Sequence, residues 1–255
     1  MTRIWAVATN TFREAVRDRV LHSIFFFAVL LVVVSVALRE ISIGDVDKVV
    51  RGTALAAIAA IGAIIAIFLG INLVWKEIDR KTIYTLASKP LPRWEILLGK
   101  YLGLWLTLAA EVGLLSALYV GVVGVQQGLP PVQVYVALGL LLVELTVLCA
   151  WATMFSTFAA PTSAAAYTLA IYVIGHFCDD LRDYGEAADS PLFRSVALTL
   201  YRVLPNLDVF NLRAEAVHAV VVPWSEVGWA LLYGAGHTGV VLAIACWIFN
   251  ERDFK

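Results

Sequence analysis

This sequence is short of charge. Asp, Glu, Lys and Arg make up 15% of its 255 residues, against about a quarter in soluble domains, while 61% are hydrophobic. A soluble fold of this length has no interior large enough for that much apolar surface. A bilayer acts as its solvent instead. Positive charge is not in excess either. The 19 Lys and Arg against 20 Asp and Glu leave a net charge of −1, which argues against the basic face that a nucleic-acid partner calls for. Cys149, Cys178 and Cys246 are far apart, two of them in apolar runs, and none forms a CxxC pair, so neither a disulfide framework nor a thiolate metal site is expected. The first 20 residues carry Arg3, Arg13, Glu14, Arg17, Asp18 and Arg19 and lack an unbroken apolar core with a cleavage site. No secretory signal is expected, and the N-terminus is expected to stay in the cytoplasm. The GxxxxGK[ST] phosphate loop is missing: Gly99-Lys100 is followed by Tyr101 and lacks the earlier glycine. HExxH is missing too, and no catalytic pair stands out.

What the chain does have is long apolar runs. A span needs roughly 20 mainly apolar residues, because each adds about 1.5 Å across a core of about 30 Å. The stretches 21–38, 53–75, 96–125, 132–158, 162–178 and 227–249 meet that test. The expected fold is therefore all-α, a polytopic membrane protein with six transmembrane helices in one domain. Lys and Arg set its orientation. They gather in residues 1–20, in 76–100 and in the tail at Arg252 and Lys255, while the turns near 126–131 and 159–162 have none. With six spans all three basic segments fall on one side, which places both termini in the cytoplasm. The loops 39–52 and 179–226 then face outward.

Residues 1–20 read as an amphipathic helix. Ile4, Trp5, Ala8, Phe12, Ala15 and Val16 fall on one face, and Arg3, Asn10, Arg13, Glu14 and Arg17 on the other. Such a helix lies in the membrane interface, either as a plain anchor or as an elbow that also touches a cytoplasmic partner. In the outer loop, Leu192, Phe193, Val196, Ala197, Leu200, Val203 and Leu204 recur at helical spacing up to Pro205. A second helix is predicted over about 207–221, with Asn206 as N-cap and a stop before Pro223. These helices are expected on or in the outer leaflet, or as a cap with no transport role.

The most informative stretch is 75–103, WKEIDRKTIYTLASKPLPRWEILLGKYLG, between the second and third predicted spans. It is too long for a tight hairpin and too short for a domain. Thr82 to Ala87 suit a short helix, which Pro90 and Pro92 break. Gly99 and Gly103 allow helix to pack closely on helix. Physically this is a short charged knob standing off the membrane. Charge alone would make it an ordinary positive-inside loop.

The order of residues in the knob says more. Glu77, Thr82, Tyr84, Leu86, Ser88, Pro90, Arg93, Gly99, Lys100 and Gly103 resemble the first cytoplasmic loop of ABC-2 family permeases. The ends TFREAVRDRVL and FNERDF look like those of permeases grouped with the nitrous-oxide-reductase maturation permease. The resemblance implies a membrane-spanning subunit of an ATP-driven exporter, not itself an ATPase. Residues 1–20 would be its interfacial elbow, 76–95 its coupling segment and 179–226 its extracytoplasmic loop. It implies a partner ATPase subunit carrying ATP and Mg, with no cofactor bound by this chain, and a homodimer or heterodimer of permeases in the inner membrane. Coupling would fall to Glu77, Asp79, Arg80, Lys81, Thr82, Tyr84, Leu86, Ser88, Pro90 and Arg93.

Glu111 and Glu144 lie inside the third and fourth spans, where carboxylates are costly and face the bundle interior. They read either as part of a substrate path or dimer interface, or as polar glue between helices. His176, Cys178, Asp179 and Asp180 cluster near the outer end of the fifth span without a standard ligand spacing, so a turn cap is expected rather than a metal site. His218 and His237 read as packed helix residues. Two other classes compete with the permease reading. An intramembrane enzyme needs a converging catalytic set, and a secondary transporter needs matched half-repeats with broken spans, which the sequence does not show.

Overall fold

The computed structural model describes residues 2–37, 45–79 and 92–251. The described chain is helical, with no strand among the described residues. Its elements are α1 (Thr2–Val16), α2 (Arg19–Ala37), α3 (Val46–Asp79), α4 (Arg93–Gln127), α5 (Val132–Ser156), α6 (Pro161–His176), α7 (Cys178–Ala187), α8 (Pro191–Val203), a 3-10 turn (Asp208–Phe210), α9 (Arg213–His218) and α10 (Trp224–Glu251). Proline sets several starts. Pro92 and Pro131 hold extended dihedrals just before α4 and α5, and Pro161 and Pro191 occupy the first turns of α6 and α8, where the missing N–H costs nothing. Gly128, at φ 85°, ends α4 in a backbone region that other residues rarely adopt.

Each of the six predicted stretches is helical over most of its described part; the fourth ends at Ser156, and the fifth breaks at Phe177. Among the described residues, four helices are long and apolar enough to cross a membrane: α3 over Val46–Ile71, α4 over Arg93–Val125, α5 and α10. The chain is a multi-pass membrane protein. α3 is longer than its predicted span. Its 34 residues reach about 51 Å at 1.5 Å each, well past a bilayer core of about 30 Å. α6, with 16 residues, reaches about 24 Å.

α5 is the centre of the bundle. It is apolar all round, as a helix surrounded by protein or lipid must be, and it packs against α3, α4, α6, α9 and α10. Glycines set the closest approaches. Gly62 meets Leu145 and Gly70 meets Ala152, so α3 and α5 run in the same direction. Gly234 brings α10 against Val143 of α5.

α1 is more than a float on the membrane surface. Gly99 of α4 faces Ile4 and Val7, and Gly103 faces Ala8, Thr11 and Phe12, so the two helices run alongside in the same direction. Ala8 is fully buried and Ala15 nearly so, while Trp5 is 58% exposed. The predicted apolar face is thus divided. Ile4, Ala8, Phe12 and Ala15 turn toward protein, and Trp5 and Val16 stay outside.

In the segment 179–226, the helix predicted around 192–204 forms as α8 and packs on α7 through Gly185 against Ala197. The single helix predicted over 207–221 does not form. The 3-10 turn and the six-residue α9 stand in its place, and Ala219 ends α9 at φ 55°. Local side chains outcompete the helix here. Asn206 Oδ1 accepts the Asp208 N–H at 3.1 Å, and the Leu207 N–H leaves its own segment to reach the Gly175 carbonyl at 2.9 Å.

A Cβ on Gly103 would sit 2.5 Å from the Ala8 carbonyl oxygen, whereas one on Gly113 meets nothing within 4 Å. Gly103→Ala should therefore push α1 off α4 at a cost of about 1–3 kcal/mol. That lowers the unfolding midpoint in detergent by about 2–4 °C per kcal/mol. Gly113→Ala should leave the midpoint unchanged or raise it slightly, because alanine is the better helix former.

Candidate functional site

Two places in the bundle hold the residues singled out from sequence. The first is the end of the bundle where α3 stops and α4 begins. Glu77 and Asp79 lie in the last turn of α3. Arg80, Lys81, Thr82, Tyr84, Leu86, Ser88 and Pro90 lie outside the described residues. The chain returns at Pro92, and Arg93 opens α4. Arg93 Nη1 donates to the Asn250 carbonyl of α10 at 3.3 Å. This is a favourable use of a cation. The last carbonyls of a helix have no partner within it, and they carry the negative end of its dipole. Glu95 occupies the opposite situation, in the first turn of α4 near the positive end. One turn further on, Gly99 and Gly103 receive α1. The start of α4 is thereby tied to α10 on one side and to α1 on another.

The second place is inside the bundle. Glu144 of α5 is 2% exposed. Its Oε1 lies 3.3 Å from His176 Nε2 of α6, within ion-pair distance, and neither atom has an aligned hydrogen bond among the described residues. His176 Nδ1 lies 2.9 Å from the Tyr172 carbonyl. A carbonyl only accepts, so Nδ1 carries a hydrogen. Nε2 then bears a proton only if the imidazole is charged. The pair is therefore ionic only when His176 is protonated. The Tyr172 ring stands edge-on to the imidazole at 4.7 Å between centroids.

This pairing corrects the outer cluster read from sequence. His176, Cys178 and Asp179 are neighbours in the chain but serve three different partners. His176 turns inward to Glu144. Cys178 Sγ lies 3.6 Å from the Pro205 carbonyl, and Asp179 accepts from Asn206 Nδ2 at 2.9 Å. Among the described residues no three His, Cys, Asp or Glu side chains converge as metal ligands. Glu111 stands apart in α4. Its Oε2 is buried without a partner, and no contact joins it to Glu144 among the described residues.

Two contacts had no signal in the sequence. Trp151 Nε1 donates to His237 Nε2 at 3.1 Å, joining α5 to α10. An N–H donated to Nε2 makes His237 neutral with its hydrogen on Nδ1. The hydroxyl of Tyr233 accepts the Asn206 N–H at 2.9 Å, which pins the 205–212 segment to α10. Only the polar-aromatic spacing on α10 (Trp229, Tyr233, His237) could have hinted at this face, and it is no different from ordinary helix packing.

Residues 5–254 match the family model described as ABC-2 family transporter protein. The chain belongs to this family. A search of curated proteins found no match. An ABC-2 protein is a membrane permease of the ABC transporter class, which agrees with a helical bundle that spans the membrane several times.

Within this permease, Glu144 and His176 should behave as one unit. His176→Leu leaves a buried carboxyl without its partner, at a cost of about 3–5 kcal/mol. Glu144→Leu leaves an unpaired neutral nitrogen, at about 1–3 kcal/mol. The double change to Leu should recover much of the loss, because both polar groups leave the interior together. Thermal unfolding of the three variants checks this. Single effects that simply add in the double variant would show that the two side chains are not coupled.

Proposed function

We propose that this chain is the permease subunit of an ATP-driven ABC-2 exporter, which takes its energy from a separate ATPase. The observation that carries the reading is the family match over nearly the whole chain, joined to a sequence without a phosphate loop. ATP and Mg would then be bound by the partner nucleotide-binding subunit. Two permeases, as a homodimer or a heterodimer, would complete the transporter in the inner membrane. Six spans with both termini in the cytoplasm are part of this reading. So is the likeness of the chain ends to nitrous-oxide-reductase maturation permeases.

The geometry favours a specific route for motion. α3 continues without a break through Glu77 to Asp79, well beyond a bilayer's thickness. α4 starts at Arg93 and is held at once by α10 and α1. A segment between two such helices passes force to both, because packed helices shift as units rather than deform. In this reading Glu77, Asp79, Arg80, Lys81 and Arg93 supply polar contacts to the ATPase, with Tyr84 and Leu86 as apolar anchors and Thr82, Ser88 and Pro90 shaping the short helix between them. ATP binding would bias a bundle with two arrangements. Glu111, buried on one oxygen and unpaired there, is the better candidate of the two carboxylates for a substrate path or dimer interface. Glu144 is already engaged by His176.

The test uses the permease reconstituted with its ATPase. Glu77→Lys and Arg93→Glu should each cut transport and permease-dependent stimulation of ATP hydrolysis about tenfold, a loss of about 1.4 kcal/mol of coupling. The unfolding midpoint and membrane insertion of Glu77→Lys should stay close to those of the parent protein, whereas Arg93→Glu also gives up the bond to the Asn250 carbonyl and should lower the midpoint by a few degrees. Normal transport and normal ATPase stimulation in both variants would remove the coupling assignment.

A further inference from the structure

Several elements meet at the last turn of α6. Its Gly175 carbonyl accepts the Leu207 N–H at 2.9 Å, and a Cβ on Gly175 would lie 2.7 Å from Leu207 Cγ, so nothing fits between the two segments. Just beyond it, Cys178 reaches the Pro205 carbonyl and Asp179 accepts from Asn206 Nδ2. The Asn206 N–H goes on to the Tyr233 hydroxyl of α10, and Phe210 packs against Gly234 of the same helix. The segment 205–212, whose only helix is the 3-10 turn, is thus strapped between α6 and α10. What fastens this turn of α6 to α5 is Glu144 with His176. Glu144 lies midway along the 25 residues of α5.

His176 stands between two acceptors. Its Nδ1 is 2.9 Å from the Tyr172 carbonyl and its Nε2 is 3.3 Å from Glu144 Oε1. A neutral imidazole has one N–H for these two acceptors, and an imidazolium has two. In a buried place the unmet acceptor is costly. The surroundings supply no substitute. Arg213, at the start of α9, acts on His176 through its charge, but its Nε is given to Asn211 Oδ1 at 2.7 Å. Cys178, Asp179 and Tyr233 are turned to residues 205 and 206. On α3, Gly62 meets Leu145, and no ionisable residue lies between Thr53 and Val74. The His176 side chain keeps 15% exposure against 3% for Glu144, which makes the imidazole the side from which a proton reaches the pair.

We propose that Glu144 and His176 form a proton-operated latch: with the proton bound, α5 holds the last turn of α6 and the 205–212 segment on it, and with the proton lost both come away from α5 together. Acid favours the latched arrangement, because the imidazolium serves both acceptors. The latch opens as the pH rises and the neutral imidazole is left with one N–H. A histidine that changes charge between about pH 5 and pH 8 suits such a switch. Packed elements move as units rather than deform, so losing this one fastening frees the whole segment. The latch belongs to the chain itself and requires neither the ATPase nor any particular cargo.

The experiment follows backbone hydrogen exchange of the full chain in nanodiscs at about pH 6 and about pH 8.5, on either side of the range in which histidine titrates, with each rate corrected for the intrinsic effect of pH. Peptides over 203–212 report the segment through its Asn206 and Leu207 amides. Peptides around Gly103 of α4 are the reference. Protection of 203–212 should fall at least tenfold at the higher pH while the reference keeps its protection. Glu144→Gln should abolish the fall, because the amide donates to a neutral imidazole and needs no added proton. His176→Gln, which cannot titrate, should abolish it too. Unfolding midpoints show that each variant is folded, and either one suffices if the other is not. His218→Gln, which removes a histidine of α9 outside the pair, should keep the fall. Equal protection at both pH values in the parent chain, a fall that persists in a folded Glu144→Gln or His176→Gln protein, or a fall lost in His218→Gln would overturn the latch.

Discussion

Lipid offers the backbone no hydrogen bonds, and every peptide group within it must find its partner inside the protein. Everything else in this bundle follows from that constraint. It makes each spanning segment a helix and removes the hydrophobic effect as the force that brings helices together, since lipid tails are as apolar as leucine. What remains is close contact and a few buried polar links. Close contact is supplied by Gly62 and Gly70 between α3 and α5, by Gly99 and Gly103 between α4 and α1, and by Gly234 between α10 and α5. At these positions a side chain would push the packed helices apart.

The polar links add to these contacts. α6 is the shortest of the long apolar helices, and its outer end is tied to α5 by Glu144 and His176 and to the 205–213 segment through the Gly175 carbonyl. α10 is exposed over most of its surface, and Trp151 with His237, Arg93 with Asn250 and Tyr233 with Asn206 attach it at three heights. Apart from Glu144 with His176, which joins consecutive helices, each link joins elements distant in sequence. A helix held at a few points can shift as a body, as a permease that alternates between two arrangements requires.

The fold was legible to a large degree because spans are written in composition. An apolar run of the right length has few alternatives in a bilayer, so the four helices that are long and apolar enough to cross a membrane among the described residues all fall on stretches read from the sequence. Length was less legible. Lys76, Glu77 and Asp79 mark where α3 leaves the apolar core, but polar residues do not end a helix, and α3 runs through them. The predicted helix over 207–221 failed for a different reason. Its periodicity was real, but Asn206, Asp208 and Asn211 bond locally, and Leu207 is drawn to Gly175, a residue about thirty positions away whose proximity no local pattern records.

The candidate sites divide in the same way. By itself the sequence determined that this chain lives in a membrane, that it lacks the means to bind ATP through a phosphate loop, and that Gly99 and Gly103 would lie against another helix, because composition, a missing motif and a spacing of four are local properties. Tertiary structure alone decided that the other helix is α1, and that His176 abandons its neighbours Cys178 and Asp179 for Glu144. These are meetings between distant segments. They depend on helix rotation and depth, which are set by packing rather than by any one segment's residues.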